Sequence, residues 1–255
     1  MNKPEHDDSL ADLKSEHTPE AIQRRLAFGP KHNHLRDFVY GAVDGTVTTF
    51  AVVSGVAGAQ LSAEVVIILG FANLIADGFS MAVGNYLATR AEQELRDQAR
   101  RIEEIHIKKI PEGEREEIRQ IFAAKGFKGE DLERVVNVIT SDPKRWIDTM
   151  LYEEMGMPNI GPSPVRAALV TFLAFVVVGF FPLATFVYRW FYPRVSFNPF
   201  LMSAAITGVA FFGVGAFKGQ FVGKSWLKAG FETFLVGGAA ACLAFAVGVL
   251  LRGLI

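Results

Sequence analysis

The chain has one cysteine, Cys242, set in an apolar run. A single thiol excludes a disulfide framework and a cysteine-built metal site within one copy of the chain. Also missing is charge over long stretches. Residues 38–59 hold one charged side chain, Asp44, residues 65–87 one, Asp77, and residues 229–251 one, Glu232, while 167–188 and 199–217 hold none. There is no phosphate-binding glycine loop and no nucleophile with a base at motif spacing. Only His106 lies outside the polar leading segment, so an enzyme is not expected. The first twenty residues are polar and acidic, without an apolar core or a small-residue cleavage site, so no secretory signal is expected and the first apolar stretch must direct insertion. No internal repeat is evident, and the first twenty or so residues have the composition of a disordered tail.

What is present points to a membrane. Half the chain is hydrophobic and 21% is Asp, Glu, Lys or Arg, with a formal net charge of −1. The mean hydropathy is +0.25. The charges are crowded into residues 1–36 and 90–154. The five apolar stretches named above each fall within the roughly 17–25 residues that cross a hydrocarbon core of about 30 Å. The fold class read from this is an all-α membrane protein of five transmembrane helices. A cytosolic helical domain lies between the second and third. The divisions are a polar cytosolic tail (1–35), transmembrane helices 1 and 2 (36–89), the cytosolic domain (90–164) and transmembrane helices 3 to 5 (165–255).

Orientation follows from Lys and Arg, which accumulate on the cytoplasmic side. Arg24, Arg25, Lys31 and Arg36 precede the first span, and Lys218, Lys224 and Lys228 join the fourth to the fifth. The other side has only Arg189, Arg194 and Arg252 beside its loops. The amino terminus is therefore expected in the cytosol and the carboxyl terminus outside. The second span is expected to run on as one helix to Ile110, where Pro111 stops it. Helices over 112–125 and 130–139 should follow, with Ser141-Asp142-Pro143 capping a fourth that carries Trp146, Met150 and Glu154.

A carboxylate at bilayer depth costs roughly 2.5–3.5 kcal/mol on insertion scales, so Asp44 and Asp77 read as groups that handle a cation or a proton. Asn73, Asp77, Met81 and Asn85 recur every four residues on one slowly drifting side of the second span; Tyr40, Asp44 and Thr48 do so on the first. Facing stripes would make a polar path. They would equally fix packing, with Gly41, Gly45, Gly78 and Gly84 letting the backbones approach. Glu232, near the cytosolic start of the fifth span, either lines the mouth of that path or pairs with Lys228. In the intervening domain three helical pairs, Glu103 with His106, Glu114 with Glu117, and Met150 with Glu154, could converge. An oxygen-rich set with an imidazole or thioether suits ferrous iron or manganese better than copper(I) or calcium. The same acids also suit a solvated helix face paired with Lys108, Lys109, Arg115 and Arg119. His6, His17, His32 and His34 read as incidental solvated groups rather than metal collectors.

The segment from Tyr40 to Phe50, YGAVDGTVTTF, and that from Gly70 to Ala82, GFANLIADGFSMA, resemble the signature of the vacuolar iron transporter family. The likeness runs from Leu35 onward and includes Pro-x-x-Glu-x-x-Glu at positions 111 to 117. The resemblance implies a dimer of five-span protomers that carries ferrous iron, often also manganese, out of the cytosol in exchange for protons. It implies that Asp44 and Met81 line the path, and that Glu103, Glu114, Glu117, Met150 and Glu154 form a cytosolic metal site. Two positions depart from the family pattern: His106 replaces a glutamate, and Asn85 stands where members often have an acid. The partners expected are lipid, a second copy, divalent metal ions and protons, with no nucleic acid. No resident cofactor is expected, only bound or carried Fe2+ and, second, Mn2+. A bacterial plasma membrane is preferred to a vacuolar one. The alternative reading is a membrane-anchored iron buffer or sensor without transport.

Overall fold

In lipid every backbone N–H and C=O must be satisfied within its own segment, which leaves helices as the structure available to long apolar runs of this length. A computed structural model describes residues 10–28, 33–158 and 161–252, and among the described residues it contains helices and no strands. The helices are α1 (Leu10–Glu16), α2 (Pro19–Phe28), α3 (Leu35–Gly58), α4 (Ala63–Lys109), α5 (Pro111–Ala124), α6 (Gly129–Thr140), α7 (Pro143–Glu153), α8 (Pro164–Gly179), α9 (Phe181–Phe191), α10 (Pro199–Phe221) and α11 (Trp226–Leu251). Four of them, α3, α4, α10 and α11, are long and apolar enough to cross a membrane, and α8 with α9, taken as one broken span, gives a fifth.

That break corrects the expectation of a continuous third span over 167–188. The axis bends by 50° between α8 and α9. Pro182, in the first turn of α9, is the cause: it has no N–H to donate, and its ring cannot coexist with a straight helical carbonyl four residues back. The leading segment is a second correction. Positions 1 to 9, with His6, and positions 29 to 32, with Lys31 and His32, lie outside the described residues, but positions 10 to 16 and 19 to 28 are helical rather than irregular. Good helix formers fill both helices, and α2 starts from a cap in which the Thr18 hydroxyl accepts from the Ala21 N–H at 3.3 Å, with Pro19 following it.

The chain divides into two compact units, with the boundary inside α4: one comprises Tyr86–Pro164, the other the helices through Asn85 and from Val165. In the membrane unit Phe50, Val53, Leu74, Phe175 and Leu183 form the core. Outward faces remain apolar; Ile68, Leu235 and Leu243 are each about two-thirds exposed, at 68, 66 and 70%. Helix α3 lies backbone to backbone against α8, since a Cβ on Gly41 would stand 2.2 Å from the Thr171 carbonyl oxygen and one on Gly45 2.5 Å from that of Phe175. Gly84 plays no such part: nothing lies within 4 Å of where its Cβ would be, contrary to the packing role read from sequence.

In the Tyr86–Pro164 unit, α4 ends just before Pro111, which opens α5. Asp142 caps α7, accepting from the Arg145 N–H at 3.0 Å, with Pro143 next. Ile118, Val136, Ile139, Trp146 and Met150 pack into its core. Glu154 stands at the C-cap of α7, one position beyond the helix expected to carry it.

Candidate metal centre and polar seam

Two polar constellations stand out, one in each unit. In the Tyr86–Pro164 unit, one ligand atom each from Glu103 and His106 on α4 and Glu114 on α5 lie within 4.8 Å of one another. Oxygen and nitrogen ligands at about 2.0–2.2 Å from a common ion stand up to about 4.4 Å apart, so little movement would close this set on a cation. His106 Nδ1 is 3.3 Å from Glu114 Oε1; the imidazole is half-exposed and Glu114 only 2% exposed. Glu103 is also 2% exposed. One oxygen of each carboxyl, Oε2, is buried without a hydrogen-bond partner. Buried polar atoms are normally paired, and two unpartnered oxygens on carboxyls of one cluster are groups a divalent cation would satisfy.

The electrostatics agree. Burial first, then the charges of Glu114 and Glu154, push the Glu103 carboxyl up to about 7, and a hydrogen bond with Glu114 favours its protonated form. Glu114 is raised by burial and by Glu117, and Glu154 by burial and Glu117, while His106 opposes both shifts. Glu117 and Glu154 are exposed, yet their charges act on the buried pair, so five ionisable side chains form one electrostatic group. Met150 is fully buried in the apolar core with Ile118 and Trp146. Among the described residues, none of the ion pairs that the alternative reading would give these acids with Lys108, Lys109, Arg115 and Arg119 involves the five. Arg119 instead binds Glu116 and Glu133, and Arg115 bonds Thr140 and Asn137.

In the membrane unit the stripes on α3 and α4 face each other. Asn73 Nδ2 donates to Thr48 Oγ1 at 3.2 Å and to Thr49 Oγ1 at 3.5 Å. Asp44 and Asp77, both partly buried, lie within Coulombic reach of each other. Met81 packs at the edge of the core formed by Phe50 and Leu74. Asn85 Nδ2 donates to Asp37 Oδ1 at 2.9 Å and to Thr171 Oγ1 at 2.8 Å. Glu232 is exposed on α11, and no ion pair joins it to Lys228 among the described residues.

Asp37 is the residue the sequence reading missed. It is 7% exposed, stands one position before the apolar stretch 38–59, and lies in the first turn of α3. His34 Nδ1 contacts its second oxygen at 2.8 Å, so His34 is not an incidental solvated group. His17 bonds the Leu13 carbonyl of its own helix at 2.8 Å. The signal for Asp37 was present in the spacing. At 3.6 residues per turn, Asp37 lies seven positions before Asp44, about 20° from its direction, closer than Tyr40 at about 40°. Tyr40 is 55% exposed and outside the seam.

Residues 35–249 match the VIT family. A vacuolar iron transporter of Toxoplasma gondii is 33% identical over 248 residues, covering 91% of this chain and 81% of the relative. Vacuolar iron transporter 1 of Arabidopsis thaliana is 33% identical over 214 residues, 83% of each chain. A vacuolar iron transporter of Plasmodium falciparum is 29% identical over 234 residues, 88% of this chain and 86% of its own. Family match and relatives extend over the spans and the intervening helical unit alike, and this multi-pass membrane protein, not an enzyme, belongs to the VIT family.

Proposed function

We propose that the protein exports divalent metal, ferrous iron first and manganese second, from the cytosol by proton antiport. The observation that carries this reading is the polar seam: two aspartates within Coulombic reach, flanked by amides, a hydroxyl and a thioether, in a unit whose outward faces are apolar. A membrane anchor for a metal buffer has no use for such a seam, which favours transport over storage or sensing. The relatives named as iron transporters support the choice of cargo.

In the proposed cycle the Tyr86–Pro164 unit is cytosolic and collects the ion through Glu103, His106, Glu114, Glu117 and Glu154, with Met150 as a soft ligand. The ion then passes to Asp44, Asp77 and Met81, with Asn73 and Asn85 along the same face and Glu232 at the mouth. Protons take the aspartates when the ion departs on the far side, so metal and protons compete for one set of oxygens. The amino terminus is cytosolic, the carboxyl terminus is outside, and two copies assemble in the membrane, with a bacterial plasma membrane preferred to a vacuolar one.

The test is flux into proteoliposomes loaded with a pH-sensitive dye, comparing ferrous, manganous, zinc and calcium ions. Ferrous and manganous ions should drive counter-movement of protons. Asp44→Ala should abolish it while the protein remains monodisperse. Normal flux in Asp44→Ala removes the seam from the mechanism, and absent flux in the unaltered protein leaves the buffer reading.

A further inference from the structure

The polar contacts between α3 and α4 follow one antiparallel register. Thr48 bonds Asn73, Asp44 lies near Asp77, and Asp37 bonds Asn85, so each step along α3 is matched by an opposite step along α4. The aspartates therefore stand between two asparagine side chains that reach across to α3. Asp37 lies about 10 Å along the helix from Asp44.

The Asn85 end is the more strongly tied. Its amide bonds two acceptors, Asp37 Oδ1 and Thr171 Oγ1, at 2.9 and 2.8 Å. The Thr171 hydroxyl, itself fully buried, donates on to the Asp37 backbone carbonyl at 3.4 Å. His34 holds the remaining Asp37 oxygen. Helices α3 and α8 meet backbone to backbone at Gly41, and at this end of the seam the Asn85 amide ties α4 to both of them. An acid at position 85 would present like charge to Asp37 and could not make this bond without a proton or a cation between them. The carboxamide makes it unaided.

We propose that Asn85 is a latch that closes the Asp37 end of the seam, so that an ion reaches Asp44 and Asp77 only when the Asn85–Asp37 bond opens. The proposal rests on the transporter reading for its biological use. In this role Asn85 is a positioning residue, acting through the helices it joins. Hydrogen bonds to charged groups are strong enough that losing one shifts a closed–open equilibrium by about tenfold or more.

The experiment reads access directly, without transport. Full-length protein carrying Cys242→Ser and Met81→Cys, in nanodiscs, is treated with a cationic methanethiosulfonate, and the rate of thiol modification is followed. Asn85→Ala and Asp37→Ala should each raise that rate by about tenfold or more, and Thr171→Val by less, because the Asp37 bond remains. Asp37→Asn keeps an acceptor for the Asn85 amide and should leave the rate near that of the parent. The double change at 37 and 85 should match Asn85→Ala, since removing the amide already breaks both of its bonds; loss of fold would instead add. An unchanged rate in Asn85→Ala, an equal rise in Asp37→Asn and Asp37→Ala, or additive effects overturn the latch. A latch that behaves as described in a protein without metal flux would overturn the transporter reading instead.

Discussion

Replacing Glu103 by Gln separates the cost of holding the proposed metal centre open from the gain of filling it. Glu103 is 2% exposed and its carboxyl is pushed from 4.5 to about 7, chiefly by burial. At about 1.4 kcal/mol per unit, keeping it ionised in the metal-free protein costs about 3 kcal/mol. A carboxyl raised in the folded state gives stability that is whole below its unfolded value of 4.5 and is lost as pH climbs through about 7. Gln has nearly the same shape and no charge. In chelator-treated full-length protein, Glu103→Gln should therefore be more stable than the parent at pH 8 by up to about 3 kcal/mol, with little gain at pH 5. Added Mn2+ at about a hundred times its Kd should return about 2.7 kcal/mol to the parent, and much less to the variant. Denaturation in detergent at the two pH values, with and without Mn2+, measures all four terms. A gain of equal size at pH 5 and pH 8 would assign the effect to packing, and no gain at pH 8 would refute the buried-charge argument.

On the proposed reading, the same protonation makes metal uptake release protons. Calorimetry in two buffers should find more protons expelled per Mn2+ near pH 6.5, where Glu103 still holds its own, than at pH 8.5. Joint Glu114→Ala and Glu117→Ala replacement should abolish that heat in the full-length protein; unchanged binding would dissolve the proposed centre. Met150→Ala should cost about 3 kcal/mol, because the side chain is fully buried among Ile118, Val136 and Trp146, while Met150→Leu should cost less than about 1.5 kcal/mol in the same denaturation assay. Gly41→Ala should lower stability by about 1–3 kcal/mol or more, its Cβ falling on the Thr171 carbonyl, whereas Gly84→Ala should raise it by about 0.5–1 kcal/mol. Thermal unfolding of the two variants side by side distinguishes these signs.

Periodic and local signals were legible in the order of the residues. Apolar length marked the spans, Pro111 marked the end of α4, and Asp142-Pro143 marked the start of α7, because each acts through its own turn of backbone. The bend between α8 and α9 was also written, in Pro182, but an unbroken apolar run outweighed it when hydropathy alone was read. The pairing of Glu103 with His106 and Glu114 followed from spacing only as one of two readings. Burial adds what spacing lacks, since an exposed glutamate and one stripped of water have the same sequence pattern and different chemistry.

The sequence by itself determined that the chain is helical, that it spans a membrane and where its few intramembrane charges stand, since hydropathy and proline chemistry depend on neighbours in the chain. Only the tertiary structure decided that Asp37 joins the seam, that Asn85 reaches Thr171 and that two carboxylate oxygens remain unpartnered. Those facts depend on which side chains from distant segments meet, and on how much water is left between them when they do.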